Sequence, residues 1–381
     1  MPPPAPPQPP PAVKAVLFGS FVPGSQPGGI TTHCTRLAER LEETPSCAVR
    51  RVNIKLRGPL RRSFLRGNPA AWLCAAMRAR LSGFHLFHFN ASSRSLPFLI
   101  LAPLLRPLGA RLILSFHSGA LSASLGRNDP LAIALFRVSL ALAHRVIFMN
   151  QRESAAVALR FPRHAAKFAA IGPFVLPALK DREKALCRKD LQGRDPGAAP
   201  RDRPYVVACM GAWLPYYLFE EVITVLQRVS KDFPSSRFEL RIAAALFNID
   251  PAYKRKIEAA ARLCRPAAGE GGLRVTTEEN VADPLVFLAD CDLLVRSSSV
   301  DSFGLCVAEA LFLGKPAIAT DVCRRAEGAL LYTPHDLDAL EAHIRLSYQR
   351  HRDGTQPPLS LPEAEDDFPR LLRLYGEEAA A

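Results

Sequence analysis

Residues Asp292 to Gly328 read DLLVRSSSVDSFGLCVAEALFLGKPAIATDVCRRAEG. Leu293, Leu294 and Val295 have the apolar character of a short buried strand, and a polar turn covers Arg296 to Asp301. An apolar stretch from Phe303 to Leu313 then stops at Gly314 and Pro316. The pattern predicts strand, loop, helix, strand. Glu309 is the only ionisable residue of the predicted helix and is flanked by Val307, Ala308, Ala310, Leu311 and Phe312. A helix that is apolar nearly all round is buried, and a buried carboxylate needs a polar neighbour. Asp301 stands eight positions before it, at the mouth of the same helix. There the first-turn N–H groups around Ser302, Phe303, Gly304 and Leu305, with the helix dipole behind them, favour an anion. Two carboxylates beside an amide nest suit a ligand that is polyhydroxylated and phosphorylated. The same spacing also fits an ordinary capped helix whose Glu309 reaches solvent.

These residues resemble a family, the GT-B glycosyltransferases of the family 4 or group 1 type, which includes bacterial polysaccharide and lipopolysaccharide transferases. Its signature, an acidic residue, seven others and a Glu, is matched from Asp301 to Glu309, with Asp in the first place. A bacterial subgroup reads R-P-T-x-x-D before the helix and R-P-E-G after it. The counterparts here are Arg296 to Asp301 and Arg325-Ala326-Glu327-Gly328. The resemblance implies that Glu309 bonds the ribose of a nucleotide-sugar and Asp301 meets the sugar hydroxyls. It also implies that the amides near Phe303 to Leu305 approach the diphosphate.

Outward from this stretch, the chain has 381 residues and is 48% hydrophobic, enough for two domains that each bury a core. Residues 1–12 are mostly proline and are expected to form a disordered arm. Val13 to Phe18 reads as a strand, the loop after it ends in Gly28-Gly29, and a helical pattern begins at Ile30. The family's first loop has paired glycines before a helix carrying His. Gly28, Gly29 and His33 match it, which implies a substrate-facing role, although His33 by itself also fits a helix-surface histidine. Arg111 to Phe116 is a predicted strand that delivers His117-Ser118-Gly119 to its C-terminal end, where open α/β sheets place ligands. The family has His, a small residue and Gly at such a position, so the resemblance implies that His117 contacts the transferred sugar. Strands alternating with helical patterns over residues 13–176 predict a doubly wound parallel sheet. Residues 177–204 read as linker, residues 205–358 as a second Rossmann-like domain, and residues 359–381 as a tail whose helix returns to the first domain, as the resemblance implies.

The net charge of +13 favours anionic partners. The basic run from Arg50 to Arg66 fits a membrane-surface or acceptor-docking segment, and equally a solvated loop. Nucleic acid is not expected, because no basic face interleaved with aromatics is present. The nine cysteines are spaced too widely for a zinc knuckle or a redox pair, which fits a reduced cytoplasmic protein. No secretory signal is visible.

One departure stands out. After its first C-domain strand the family has Gly-Arg and, five residues after that Arg, Lys, which neutralise the leaving diphosphate. Here Gly211 is followed by Ala212, and Tyr217 takes the place of the Lys. Arg296, Arg324 or Arg325 would then have to supply the charge. The family also implies retention of anomeric configuration, no metal and no cofactor beyond the nucleotide-sugar. Asp290-Cys291-Asp292 has the letters of a cation-binding D-x-D but stands before a strand. The expectation is a GT-B enzyme moving a sugar from a nucleotide-sugar to a glycan or lipid-linked glycan, in the cytoplasm, with peripheral contact to an anionic membrane left open. A GT-B scaffold that binds without catalysis is the alternative.

Overall fold

The computed structural model describes residues 13–21, 29–54, 69–91, 96–117, 125, 128–191, 203–246, 249–264, 271–355 and 366–381. The Pro-rich start, Gly28, residues 55–66 of the basic run, Ser118 and Gly119 lie outside the described residues. The chain divides into two compact units, with residues 13–21, 30–175 and 367–381 among those of the first and residues 29 and 176–366 among those of the second.

The first unit contains β1 (Val13–Gly19), α1 (Gly29–Glu42), β2 (Cys47–Asn53), α2 (Pro69–Leu81), β3 (Leu86–Ala91), α3 (Leu96–Leu105), a tight turn of helix Arg106–Leu108 and β4 (Arg111–Phe116). These are followed by α4 (Pro130–Leu142), β5 (Arg145–Phe148), α5 (Gln151–Arg160) and β6 (Phe168–Ala170), and the chain's last helix, α12 (Phe368–Ala380), completes the unit. Its strands form one sheet in the order β2-β1-β3-β4-β5-β6, with parallel pairings. A sheet buried on both faces needs apolar side chains on both, and these strands supply them. Phe18, Phe87, Phe89 and Phe116 pack under α2, α3 and α4, while Leu17, Leu86, Ile113 and Ile147 pack under α1 and α12. Pro103 sits inside α3, near its end, and the helix continues to Leu105.

α12 packs on β1 and β3. Fully buried Tyr375 puts its hydroxyl 2.5 Å from Nδ1 of His88, Arg145 donates to Glu378 at 2.8 Å, and the Gly172 N–H donates to Asp367 at 2.7 Å.

The second unit contains α6 (Leu179–Leu191), β7 (Tyr205–Ala212), α7 (Phe219–Asp232), β8 (Arg237–Ala245), α8 (Pro251–Leu263) and β9 (Gly272–Glu279). α9 (Pro284–Ala289), β10 (Leu293–Arg296), α10 (Leu305–Phe312), β11 (Ala317–Thr320), β12 (Leu330–Tyr332) and α11 (Leu337–Asp353) follow. The order is β12-β11-β10-β7-β8-β9, with parallel pairings. Three helices begin with Asp-Pro: Asp129, Asp250 and Asp283 accept from first-turn amides while the proline removes a donor the helix could not use.

One reading from sequence changes here. The stretch read as linker holds α6, because Gly and Pro crowd only into residues 193–204, whereas Leu179 to Leu191 is built from good helix formers. α6 packs on α9, and Arg182 donates to the Phe312 carbonyl at 2.9 Å. The two wound sheets also differ in order. The first reverses direction between β1 and β3, the second between β7 and β10, and loops at the C-terminal ends of such strand pairs diverge to leave room for a ligand.

Tyr375→Ala is expected to cost about 3–5 kcal/mol, as for other large buried aromatics, read as a lowered denaturation midpoint.

Candidate functional site

In the second unit the reversal point brings the loop after β7, residues 213–218, against the loop after β10, residues 297–304. Ser297 Oγ donates to the Tyr217 carbonyl at 3.0 Å and the Ser299 N–H to the Tyr216 carbonyl at 2.9 Å, and at the ends of the strands Arg296 Nη1 donates to the Met210 carbonyl at 2.5 Å. The Arg296 guanidinium lies over the Tyr217 ring, 4.7 Å from its centre. That ring in turn lies on Gly211, where a Cβ would fall 2.6 Å from it. Gly211 is therefore the surface on which Tyr217 rests.

Asp301 is the hub. One of its oxygens accepts from Arg296 Nε at 2.8 Å and from Arg325 Nη1 at 2.7 Å, and the other accepts from the Ser302 N–H at 3.0 Å. Burial alone would raise the Asp301 carboxyl, but the two guanidiniums outweigh it and hold the group far below the ordinary carboxylate range. Burial likewise works against the Arg296 charge, and Asp301 more than offsets it. Both Asp301, which the resemblance places at sugar hydroxyls, and Arg325, one of the three arginines expected to supply charge, are engaged in this cluster. The Arg325 side chain is only 1% exposed and turns inward to Thr320, Ser298 and the Phe303 carbonyl. Arg296 is different: its Nε and Nη1 are engaged, and Nη2 makes no hydrogen bond among the described residues.

α10 starts immediately beyond. Gly304 is its N-cap, at φ 77°, and no side chain caps it among the described residues. The conformation requires glycine, since a Cβ there would fall 2.4 Å from Arg325 Nη1. Phe303 is buried and Leu305 opens the helix. Burial pushes the Cys306 thiol in the first turn up to about 11, against the pull of nearby Arg296. Glu309, one turn on, is 3% exposed, so it does not reach solvent from an open stripe.

In the first unit the reversal point holds a seam of neutral polar side chains. His117, one residue past β4, has Nε2 2.8 Å from Asn90 Oδ1, and its ring centre lies 4.7 Å from that of His33, the two rings tilted by 52°. His33 is buried in α1, with Nδ1 2.7 Å from the Pro173 carbonyl, so it is not a surface histidine. His88 bridges Tyr375 and Ser115. Burial is the main cause that brings His33 down to about 4, His88 to about 3 and His117 well below its ordinary value. Gly29 is exposed at the start of α1. Sequence reasoning passed over His88 and Asn90. Their signal was present, because they stand two apart in an otherwise apolar strand and so share one face.

Asp292 accepts both guanidinium nitrogens of Arg203, at 2.7 and 2.6 Å, and the Val206 N–H at 2.9 Å, while Asp290 pairs with Arg241. This D-x-D is thus bound up in the unit's own ion pairs. No helix among the described residues is long and apolar enough to cross a membrane.

Residues 205–349 match the family model described as Glycosyl transferases group 1. No curated protein matches the chain significantly in sequence. Among solved structures, sucrose-phosphate synthase from Thermosynechococcus elongatus is similar over 97% of this chain and 99% of its own, at TM-score 0.64 and 18% identity. The catalytic domain of starch synthase IV from Arabidopsis thaliana, bound to ADP and acarbose, is similar over 97% and 100%, at 0.69 and 12%. An α,α-trehalose 6-phosphate synthase from Burkholderia multivorans is similar over 97% and 98%, at 0.65 and 14%. At these identities the likeness establishes the GT-B fold.

Gly304→Ala is expected to lower stability by about 1–3 kcal/mol through backbone strain alone, with the Arg325 clash added, measured by chemical denaturation. The histidine seam predicts acid lability. The folded values are depressed, so below about 6.5 the unfolded chain binds more protons, and stability falls as the pH drops toward 4. His33 alone contributes about 3 kcal/mol of that loss by pH 4. Melting temperatures recorded across this range should fall with acid, and less steeply in His33→Asn.

Proposed function

With residues 205–349 forming a group 1 glycosyl transferase domain in a chain of GT-B fold, we propose that the protein moves a sugar from a nucleotide-sugar donor to an acceptor hydroxyl. The observation that carries this reading is the position of Arg296. It is held by Asp301, the Met210 carbonyl and the Tyr217 ring, its Nη2 makes no hydrogen bond among the described residues, and it stands beside the first turn of α10, which no described side chain caps. A fixed guanidinium next to helix amides stabilises negative charge as it develops on a leaving diphosphate, because charge-assisted bonds to phosphate are strong and already oriented. Arg296 thereby takes the role for which Ala212 and Tyr217 carry no charge.

In this proposal Gly211 and the segment Ser302 to Leu305 approach the donor, Glu309 bonds its ribose and His117 its sugar. Asp301 and Arg325 act from behind by holding Arg296 and Gly304. Gly28, Gly29 and His33 serve the loop before α1. The reaction retains anomeric configuration and uses no metal, positive charge being supplied by Arg296. The acceptor is a glycan or lipid-linked glycan, and the protein works in the cytoplasm, at the membrane when its acceptor is there.

A second reading, donor binding without transfer, is favoured by one observation: Asp301 is committed to two arginines and presents no free carboxylate. Product analysis with the bound donor separates the two, since transfer or hydrolysis excludes a silent scaffold.

The test is a thermal-shift series with UDP, GDP, ADP and their common sugars. One nucleotide family should raise the melting temperature, by the equivalent of about 2.7 kcal/mol at a hundredfold excess over Kd. Arg296→Ala should bind the diphosphate about tenfold to a hundredfold more weakly while leaving the monophosphate little changed, and Glu309→Ala should weaken both. No shift with any nucleotide would refute the reading.

A further inference from the structure

All of the chain's net charge comes from one segment. Residues 44–128 contain 13 arginines and lysines and no aspartate or glutamate, which leaves 36 basic residues elsewhere to balance 36 acidic ones. The described part of this segment builds β2, β3, β4, α2, α3 and the turn Arg106–Leu108, and its described helices and turn carry Arg78, Arg80 and Arg106. With α4, which has no acidic residue within its own span and packs on α3, these helices and the turn form a layer over one face of the first unit's sheet. Its inner side chains, among them Trp72, Phe98 and Phe136, belong to the core.

The outer side carries apolar and basic groups together. Leu104, Leu108, Leu131 and Val138 are exposed by 48, 43, 57 and 48%. On α4, exposed Leu131, Ala134, Val138 and Ala141 follow helical spacing and make one stripe, with exposed Arg137 at its edge. Arg106 donates to the Ala141 carbonyl and Arg80 to the Leu108 carbonyl, at 2.9 Å from Nε, which joins α2, the turn and α4 into a single surface. Arg78 is exposed on the α2 side. Single exposed leucines are ordinary, but a helix layer in water normally mixes charges of both signs. Apart from Asp129, which is bonded to the first-turn amides of α4, the charges among the described residues of α2, α3, the turn and α4 are cations. Aliphatic side chains beside cations match the boundary of an anionic bilayer, where leucine enters the acyl region and arginine meets lipid phosphate. Single-stranded nucleic acid fits less well, because it stacks on exposed aromatics and the layer's Trp72, Phe98 and Phe136 are buried.

We propose that the outer face of the α2–α3–α4 layer docks on an anionic lipid bilayer. The inference uses no part of the sugar-transfer site and stands or falls separately from it. The test is sedimentation of the full chain with phosphatidylcholine vesicles, with and without phosphatidylglycerol, at low and raised salt. Binding should require phosphatidylglycerol and weaken with salt. Arg78→Glu combined with Arg137→Glu should reduce it at least about tenfold, because each basic residue near an anionic surface contributes about fivefold. Leu104→Glu with Val138→Glu should reduce it similarly, and Leu263→Glu, on the second unit, should not. Unchanged melting temperatures establish that these variants fold. Equal binding to neutral vesicles, no binding to either kind, variants that bind as the wild type does, or displacement by single-stranded RNA would each overturn the proposal.

Discussion

A single carboxylate held between two guanidiniums joins three loops of the second unit. Through Arg296, Asp301 reaches the end of β7 and the Tyr217 ring; through Arg325, it reaches the end of β11 and the Gly304 cap. Such a buried cluster costs desolvation to form, and it persists because each member is multiply bonded. Removing the carboxylate would leave two buried like charges facing each other. The cluster carries a net positive charge, and among the described residues Arg296 Nη2 makes no hydrogen bond. The loop it anchors also holds Leu218 at φ 51°, a conformation an L residue adopts only when its surroundings impose it.

The two units place opposite chemistries at equivalent points of their sheets. In the first, His33, His88, His117, Asn90 and Ser115 are neutral at physiological pH, because burial removes the histidines' charge. Neutral imidazoles and amides donate and accept hydrogen bonds without attracting counter-ions, as recognition of hydroxyl groups requires. In the second, arginine and helix amides favour anions.

Ionic groups elsewhere follow a related division. Asp290 and Asp292 are committed to Arg241 and Arg203, where they tie β8 and the start of the unit to β10. Acidic residues are absent from residues 44–128, so a cation there, such as Arg51 with Glu42, finds a carboxylate only from outside the segment. The membrane proposal rests on that asymmetry, whereas the catalytic proposal rests on one arginine.

Much of this was legible in the amino-acid order. Local apolar periodicity determined the strand, loop and helix from Leu293 to Phe312, because a buried strand and a buried helix each demand a characteristic run of side chains. The same logic marked the strand that ends before His117 and the helix after Gly29. The spacing of Asp301 and Glu309 pointed to the fold family through resemblance. Tertiary structure alone decided which cation remained available. Arg296 and Arg325 are both arginines in polar loops, and only long-range contacts with Met210, Tyr217 and Thr320 leave one with an Nη2 that makes no hydrogen bond among the described residues and enclose the other. It also decided that His33 is buried, since its partners Pro173 and His117 are distant in sequence. Local pattern sets which elements form because helix and strand periodicity are properties of neighbouring residues. The state of a charged side chain depends on what folding brings to it from elsewhere in the chain.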